Sequence, residues 1–344
     1  MINIPVWMFL SSYEKLRGKL LGVQTLVNMV HPGRGIFGSD FGTTSFVFAK
    51  RLSEGYKGSY RRLFEKQGEV EGVEAREMAF LSEKGSFIAD QTNFAKIPGN
   101  PVAYWVSPNL LNDFTIGDAL KSNGDTRQGM ATSDNNRFLR LWHESSFEKI
   151  GFGCHSAQEA IESQKKWFPY NKGGEFRKWY GNNDFIINYE NDGFEVKSYA
   201  SSLYKQASRT IKSMSEYFKP SISWSKISSG SVAFRYYPDG FIFDVAGCCI
   251  FYKDFKIMYY DFGFLNSLVA KSIFAVISPT LNYEAGHVAS LPVIFRENII
   301  DQVNVVVQEN IILSRNDWDS FETSWDFNHH PLIRKVHTIA EAFT

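Results

Sequence analysis

The sequence predicts a mixed α/β protein built in two parts, the closing strands of an α/β layer followed by a mixed α+β region. Three observations predict it. The first stretch of about fifty residues alternates apolar, strand-like runs with one short helix. Residues 53–95 change to charged, helix-patterned sequence, "SEGYKGSYRRLFEKQGEVEGVEAREMAFLSEKG". From "KIPGNPVAYW" onward, Gly, Asn, Ser and aromatic residues surround short β-like runs.

Taken in order, "INIPVWMF" at residues 2–9 reads as a strand. Ser11 or Ser12 is placed to cap a helix "YEKLRGKLLG" that Gly22 ends. "VQTLVNMV" reads as a short buried strand and "GTTSFVFAK" as a second one. Strand, helix, strand, strand is too little to cover both faces of a sheet, so these residues are expected to be the end of an α/β domain whose beginning is absent. The charged stretch is expected to be a solvated helical connector. Beyond it, "FIINY", "SVAFRYY" and "FIFDVAGCCIFY" read as strands. "FGFLNSLVAKSIFAVI" reads as one amphipathic-to-buried helix, and "IDQVNVVVQENIILS" fits either a helix or a strand plus a helix. No internal repeat or low-complexity segment is evident.

Composition narrows the class. The chain has 344 residues, enough for two domains, and 44% hydrophobic content, enough for a core. Lys plus Arg equals Asp plus Glu, 37 each. Zero net charge argues against strong nonspecific nucleic-acid binding and leaves room for local basic patches. Three cysteines, Cys154, Cys248 and Cys249, make a poor disulfide framework and point to a reducing compartment. No Cys/His spacing suggests zinc. The N-terminal apolar stretch is short and lacks a basic leader, and no run approaches the roughly 18 apolar residues of a membrane helix. The expectation is a soluble, cytoplasmic protein with no membrane partner. Thirty phenylalanines either fill cores or stack on flat ligands.

Several motifs imitate known chemistry. Gly33-Arg34-Gly35-Ile36-Phe37-Gly38 has the dinucleotide-loop pattern G-x-G-x-x-G. That loop works when a helix starts at the glycines and turns its N–H groups toward pyrophosphate. Here a strand follows, so the stretch reads as a glycine-rich connection between two strands. Ser12-Tyr13-Glu14-Lys15, Ser133-Asp134-Asn135 and Lys172-Gly173-Gly174 resemble the three elements of penicillin-binding serine enzymes. The third departs from K-T-G, and no export signal accompanies them. Asp40-Phe41-Gly42 is D-F-G without an H-R-D loop before it. Asn100-Pro101-Val102-Ala103 lacks the second proline and the aromatic of N-P-P-Y and reads as a turn. His329-His330 reads as a polar loop.

An ordered set of stretches carries a family signal. "MINIPVWMFLSSYEKLRGKLL" resembles the strand and helix after the catalytic loop of adenine-specific DNA methyltransferases, and "GRGIFGSDFGTTSFVFAK" their closing strand pair. "NFAKIPGNPVAYWVS", "GDTRQGMATSDNNRFLRLWHE", "WFPYNKGGEFRKWYGNNDFIINYENDG", "SWSKISSGSVAFRYYPDGFIFDVAGC" and "GFLNSLVAKSIFAVISPTLNYEAGHVASLPV" follow in the family's order, and "RNDWDSFETSWDF" is similar to what comes after. The set resembles the PglX-type methyltransferases of BREX phage-defence systems, akin to the methylases of type IIG restriction–modification enzymes.

The resemblance implies a C-terminal remnant of a Rossmann-like methyltransferase sheet at residues 1–52, a charged helical connector at 53–95, and a DNA target-recognition domain at 96–344. It implies S-adenosylmethionine as the family's methyl donor, held at an F-x-G-x-G loop, with the flipped adenine held at N-P-P-Y. Neither motif occurs here, so no cofactor is expected on this chain alone and no catalytic residue is assigned. Met1 is expected to fall inside the methylase domain, making the chain a truncated, split or separately made piece that is inactive alone. Double-stranded DNA is the expected partner, with an upstream methylase half or other BREX subunits as further ones.

Readers of DNA sequence use amides and guanidiniums on base edges, and cations and backbone N–H groups on phosphate. "QGMATSDNNRFLR" supplies Gln128, Asn135, Asn136, Arg137 and Arg140. "YNKGGEFRKWYGNN" supplies Lys172, Arg177, Lys178 and Trp179 around Gly173 and Gly174, glycines that would let a phosphate approach the backbone. "SWSKISSGSVAFRYY" adds Ser225, Lys226, Ser228, Ser229 and Arg235. Trp142, Trp167 and Trp224 read as core. Two other classes remain, a docking piece for an upstream half or another defence subunit, and a carbohydrate-binding module using the aromatics.

Overall fold

Proline at position 5 ends the first strand almost as soon as it starts. In the computed structural model, which describes residues 1–37, 41–65, 69–228, 230–279, 282–331 and 341, β1 is only Ile2–Asn3. Pro5 has no N–H to give a ladder and instead opens a 3-10 turn, Pro5–Met8, that turns Trp7 and Met8 inward. The strand expected over residues 2–9 is thereby corrected to two residues. A second 3-10 turn, Ser11–Tyr13, leads into α1 (Glu14–Val23). Neither serine caps it, because the turn places Tyr13 at the N-cap position.

β2 (Thr25–Gly33) and β3 (Thr43–Ala49) pair antiparallel, as the sequence leads one to expect. The charged stretch is corrected more deeply. It contains β4 (Lys57–Arg62), α2 (Val73–Leu81) and β5 (Ser86–Asp90). β4 runs parallel to β2, and β5 runs antiparallel to β4. The sheet order is β1-β3-β2-β4-β5. In β4, Gly58 and Tyr60 are buried while Lys57 and Ser59 are exposed, a period of two hidden by the charges around it.

Leu26, Met29, Phe46 and Tyr60 on the sheet pack with Trp7, Met8, Phe94, Val102 and Tyr104. The Tyr60 and Tyr104 rings stack at 4.8 Å. Arg17 of α1 is buried and donates to the carbonyls of Trp7, Leu10, Gly99 and Asn100. α3 (Pro108–Ile116), capped by the Ser107 hydroxyl, completes this part. The compact unit is Met1–Asp118 with Ser272–Thr280 and Ser290–Phe295.

The glycine loop between β2 and β3 is explained by its neighbours. Gly33 and Gly35 have φ of +82° and +96°. A Cβ on Gly33 would stand 2.8 Å from the Phe64 ring, and one on Gly35 2.5 Å from the Glu71 carbonyl. Packing therefore demands glycine at both positions. Gly38, and Asp40 of the D-F-G triplet, lie outside the described residues.

The second unit is Ala119–Lys271, Leu281–Ala289 and Arg296–Thr344. After the short β6 (Asp118–Ala119) come β7 (Gly124–Arg127), α4 (Asn135–Phe138), β8 (Leu139–Leu141), α5 (Ala157–Glu162), β9 (Trp167–Asn171), β10 (Phe185–Asn188) and α6 (Glu190–Tyr204). Then follow β11 (Ser221–Ser225), β12 (Phe234–Tyr237), β13 (Ile242–Phe243) and β14 (Gly247–Tyr252). One sheet has the order β13-β9-β10-β8 and another β12-β11-β14-β7. All five residues of β11 and the first five of β14 are buried, so both strands are covered on both faces. Phe138, Phe168, Ile187, Tyr189, Phe218 and Phe243 are among the core residues.

The helix read across 262–277 is corrected to two, α7 (Phe255–Leu265) and α8 (Leu268–Ile277). Asn266 ends the first because its amide is committed to β12, accepting from Phe234 N and donating to Phe234 O, each at 3.1 Å. After α9 (Ala285–Ala289) and β15 (Pro292–Val293), the window left open by periodicity is a single helix, α10 (Ile300–Trp318). Among the described residues no single helix is long and apolar enough to cross a membrane. Cys154, Cys248 and Cys249 are buried and unpaired, and burial pushes the thiols up, Cys249 to about 11.

Candidate nucleic-acid interface

Strand direction gathers the candidate residues. β11 and β14 are antiparallel with Ser225 opposite Gly247, and β14 and β7 are antiparallel with Cys249 opposite Arg127. The chain therefore leaves β11 and β7, and enters β14, at one end of the sheet. β9 and β13 are parallel to each other. Asn171 at the end of β9 donates to the Ser223 hydroxyl at 2.7 Å and to Gly247 O at 3.3 Å, so the second sheet ends at the same place. Gln128, Lys172, Gly173, Gly174, Lys226 and the segment 244–246 all leave their strands there.

A cleft of about 250 Å³ opens at this end, lined by residues 131–135 with Lys172, Asp244 and Val245. Lys172 Nζ donates to Asp244 Oδ2 at 2.6 Å. The same oxygen accepts from the Tyr170 hydroxyl at 2.7 Å, and Oδ1 accepts from Ala246 N at 2.7 Å. Burial, and then the Asp244 charge, push the Tyr170 phenol far above its ordinary value. Also in the lining, Asn135 Oδ1 accepts from the Thr132 hydroxyl at 2.6 Å, leaving Nδ2 as the donor of that amide.

Asn136 and Arg137 follow on α4 and are exposed. The Arg137 guanidinium donates twice to Glu195, at 3.0 and 2.8 Å, and lies over the Tyr199 ring. The hydrogen bond from Arg137 holds the Glu195 carboxyl below its ordinary value. Arg140 donates to the carbonyls of Asn136 and Leu139. Lys226 and Gln128 meet on one carboxylate, Glu284 Oε2, at 3.1 and 3.2 Å.

The two site glycines have φ of +83° and +119°. A Cβ on Gly173 would come 3.0 Å from Ala246 O, and one on Gly174 2.8 Å from Asn182 Nδ2. Neighbouring chain thus already requires glycine at both positions, without a phosphate. Arg177 pairs with Asp317 at 3.0 Å and stacks over Trp318. Lys178 donates to Asn266 O at 2.7 Å, and Trp179 bridges to Arg235 through the backbone.

Arg235 is corrected. It is 1% exposed and donates to Ser225 Oγ at 3.1 Å, Arg177 O at 3.3 Å and Glu175 O at 3.4 Å. β12 is buried almost throughout, so its arginine is held beneath the 173–182 loop and supports it rather than facing a ligand. The Ser228 hydroxyl closes a turn on Ser231 O, and Ser229 lies outside the described residues. Trp224 is fully buried, whereas Trp142 and Trp167 are half-buried.

Sequence reasoning missed the two carboxylates that organise the cluster, Asp244 and Glu284. Asp244 left a signal, since an acid inside the apolar run "FIFDVAG" must find partners if that run is buried. Glu284 lies in a polar loop and left none.

No family model matches the chain. It is 37% identical over 347 residues to the adenine-specific methyltransferase PglX of Lacticaseibacillus casei (strain Zhang), covering 98% of this chain. It is 34% identical over 353 residues to the adenine-specific methyltransferase BrxX of Escherichia coli O9:H4 (strain HS), covering 99% of this chain. The chain spans 28% and 27% of the lengths of these two relatives. Among solved structures it resembles the type IIL restriction–modification enzyme MmeI in complex with DNA. That match has a TM-score of 0.55 at 11% identity and covers 95% of this chain and 42% of that one. At that identity the likeness is one of fold.

Proposed function

Since this chain is a relative of one portion of the PglX-type adenine-specific methyltransferases, we propose that it is the DNA-recognition portion of a site-specific adenine-N6 methyltransferase of BREX phage defence. The observation that carries the proposal is the convergence of Gln128, Asn135, Lys172 and Lys226 on loops at one end of two sheets. Amides beside cations on a rigid scaffold are the combination that reads base edges while touching phosphate. The fold likeness to an enzyme solved with DNA supports the same reading.

S-adenosylmethionine is the methyl donor the family implies. The chain has neither the F-x-G-x-G nor the N-P-P-Y motif, and the glycines at 33 and 35 are taken up by packing on Phe64 and Glu71. Methyl transfer is accordingly assigned to the longer relatives, and this segment alone is expected to leave DNA unmethylated. The test is to titrate labelled duplex DNA with the purified chain at rising salt. Binding that weakens steeply, as counterion release requires, supports the proposal. Salt-insensitive binding, or none, counts against it. Methyl incorporation by the chain alone would overturn the assignment of catalysis elsewhere.

A second reading, a docking piece for an upstream methylase half or another defence subunit, is favoured by apolar residues left open on the five-stranded part. Val47 and Ile88, and Met78 and Leu81 of α2, are more than half exposed. Self-association of the purified chain in sedimentation supports that reading, and a well-behaved monomer counts against it.

A further inference from the structure

Four candidate DNA-contacting cations each meet a carboxylate: Arg137 with Glu195, Lys172 with Asp244, Arg177 with Asp317, and Lys226 with Glu284. The pairs differ in what holds the acid. Asp244 is buried and keeps two further donors, so it is part of the fold. Glu195 is shared with Asn188, and Asp317 is an exposed single partner. Of these four acids, Glu284 alone collects polar side chains from two other segments and from its own loop. It accepts from Gln128 after β7, from Lys226 after β11, and from Asn282 at 2.8 Å.

Its backbone is hydrogen-bonded on both sides. Tyr283 N donates to Lys226 O at 2.7 Å, Trp224 Nε1 donates to Tyr283 O at 2.8 Å, and the Glu284 carbonyl accepts from His287 N and Val288 N at the start of α9. It is also reachable, for the Glu284 side chain is 37% exposed and that of Lys226 23%.

We propose that Glu284 is a specificity-determining residue, an anionic clamp that holds Lys226 off the phosphates of non-target DNA and aims the Gln128 amide. This rests on the DNA-recognition reading above. A phosphate arriving at Lys226 meets the Glu284 charge next to the ammonium, so backbone contact alone is disfavoured. A base edge that offers an exocyclic amine meets an acceptor instead. The N4 amine of cytosine and the N6 amine of adenine are such donors. The clamp therefore lowers affinity for DNA in general while leaving a matching base edge welcome.

The test is fluorescence anisotropy of a random-sequence duplex against the purified chain and three variants, Glu284→Gln, Lys226→Gln and the double variant, over a series of salt concentrations. In Glu284→Gln the lysine is freed. Random-sequence binding is expected to tighten several-fold, and the slope of log K against log salt to steepen by about 0.9, the value of one added phosphate contact. The double variant returns to the wild-type slope. On this random-sequence duplex Lys226→Gln alone leaves the slope unchanged, because against non-target DNA the clamped lysine makes no phosphate contact to lose, its contact being kept for target DNA. Glu284→Gln binding no more tightly than wild type, or a Lys226→Gln slope shallower by about 0.9, overturns the clamp while the DNA reading stands. If no form binds DNA at low salt, the DNA reading fails and the clamp fails with it. A slope change is not produced by mere loosening of the fold, which keeps the readout specific.

Discussion

Lys172 Nζ stands 2.6 Å from Oδ2 of Asp244, a carboxylate whose side chain is 1% exposed. A charge taken out of water must be met by donors, and here three meet it: Lys172, the Tyr170 hydroxyl and Ala246 N. Lys172 is thus part of the fold before it is anything else. Lys172→Met is expected to cost about 3 kcal/mol in urea unfolding, the low end for a broken buried pair because two donors remain. Lys172→Met/Asp244→Asn is expected to recover most of that. A loss below about 1 kcal/mol in the single variant would show that the lysine is dispensable to the buried acid.

Asp261 gives the fold a pH dependence of unusual direction. It is fully buried on α7, with Asn123 Nδ2 3.3 and 3.5 Å from its two oxygens. Burial pushes its carboxyl up to about 7 from an ordinary 3.8, outweighing the hydrogen bonds that favour the charged form. Across that window the folded chain keeps a proton that the unfolded chain releases. The stabilisation is complete below the unfolded value and is lost as pH rises through the folded one. Asp261→Asn keeps an acceptor for Asn123 and has no charge to bury. The variant is expected to melt higher than wild type near pH 8 by an amount worth a few kcal/mol, with the gap closing toward pH 4. Parallel melting curves across that range for the two proteins would rule out Asp261 as the source.

How far the sequence disclosed this follows from where burial and polarity coincide. "FIINY", "SVAFRYY" and the end of "FIFDVAGCCIFY" were legible as strands because apolar and aromatic residues fill them. β4 was not, since Lys57, Arg61 and Arg62 surround the buried Gly58 and Tyr60 and make a strand look like a solvated helix face. The break between α7 and α8 depends on Asn266 reaching β12, a contact far away in sequence. The amides and cations of the candidate interface were legible as residue types, but type alone does not separate exposed Arg137 from buried Arg235. Nor does it reveal that Gln128 and Lys226 share Glu284.

Arg235 tests that distinction directly. Its guanidinium supports the turn carrying Gly174 and Arg177 through Glu175 O, Arg177 O and Ser225 Oγ. Arg235→Gln is expected to destabilise the fold by about 2–4 kcal/mol, because buried acceptors lose their donor. DNA affinity is expected to fall with the loop, yet the salt slope should stay at its wild-type value. A slope shallower by about 0.9 would instead put Arg235 on a phosphate.

The glycines around the candidate interface separate backbone need from chance. Gly174 has φ of +119°, and an added Cβ would lie 2.8 Å from Asn182 Nδ2, which itself donates to Glu175 O at 2.9 Å. Gly174→Ala must strain the backbone and push aside an amide that holds the same turn. The expected cost is about 2–3 kcal/mol in urea unfolding. Gly286 in α9 is the contrast, since nothing lies within 4 Å of its ideal Cβ and no positive φ is required. Gly286→Ala is expected to be neutral or to stabilise by up to about 1 kcal/mol through helix propensity. If the two variants unfold alike, the turn at Gly174 is more yielding than its geometry implies, and phosphate approach regains its place as the reason for glycine there.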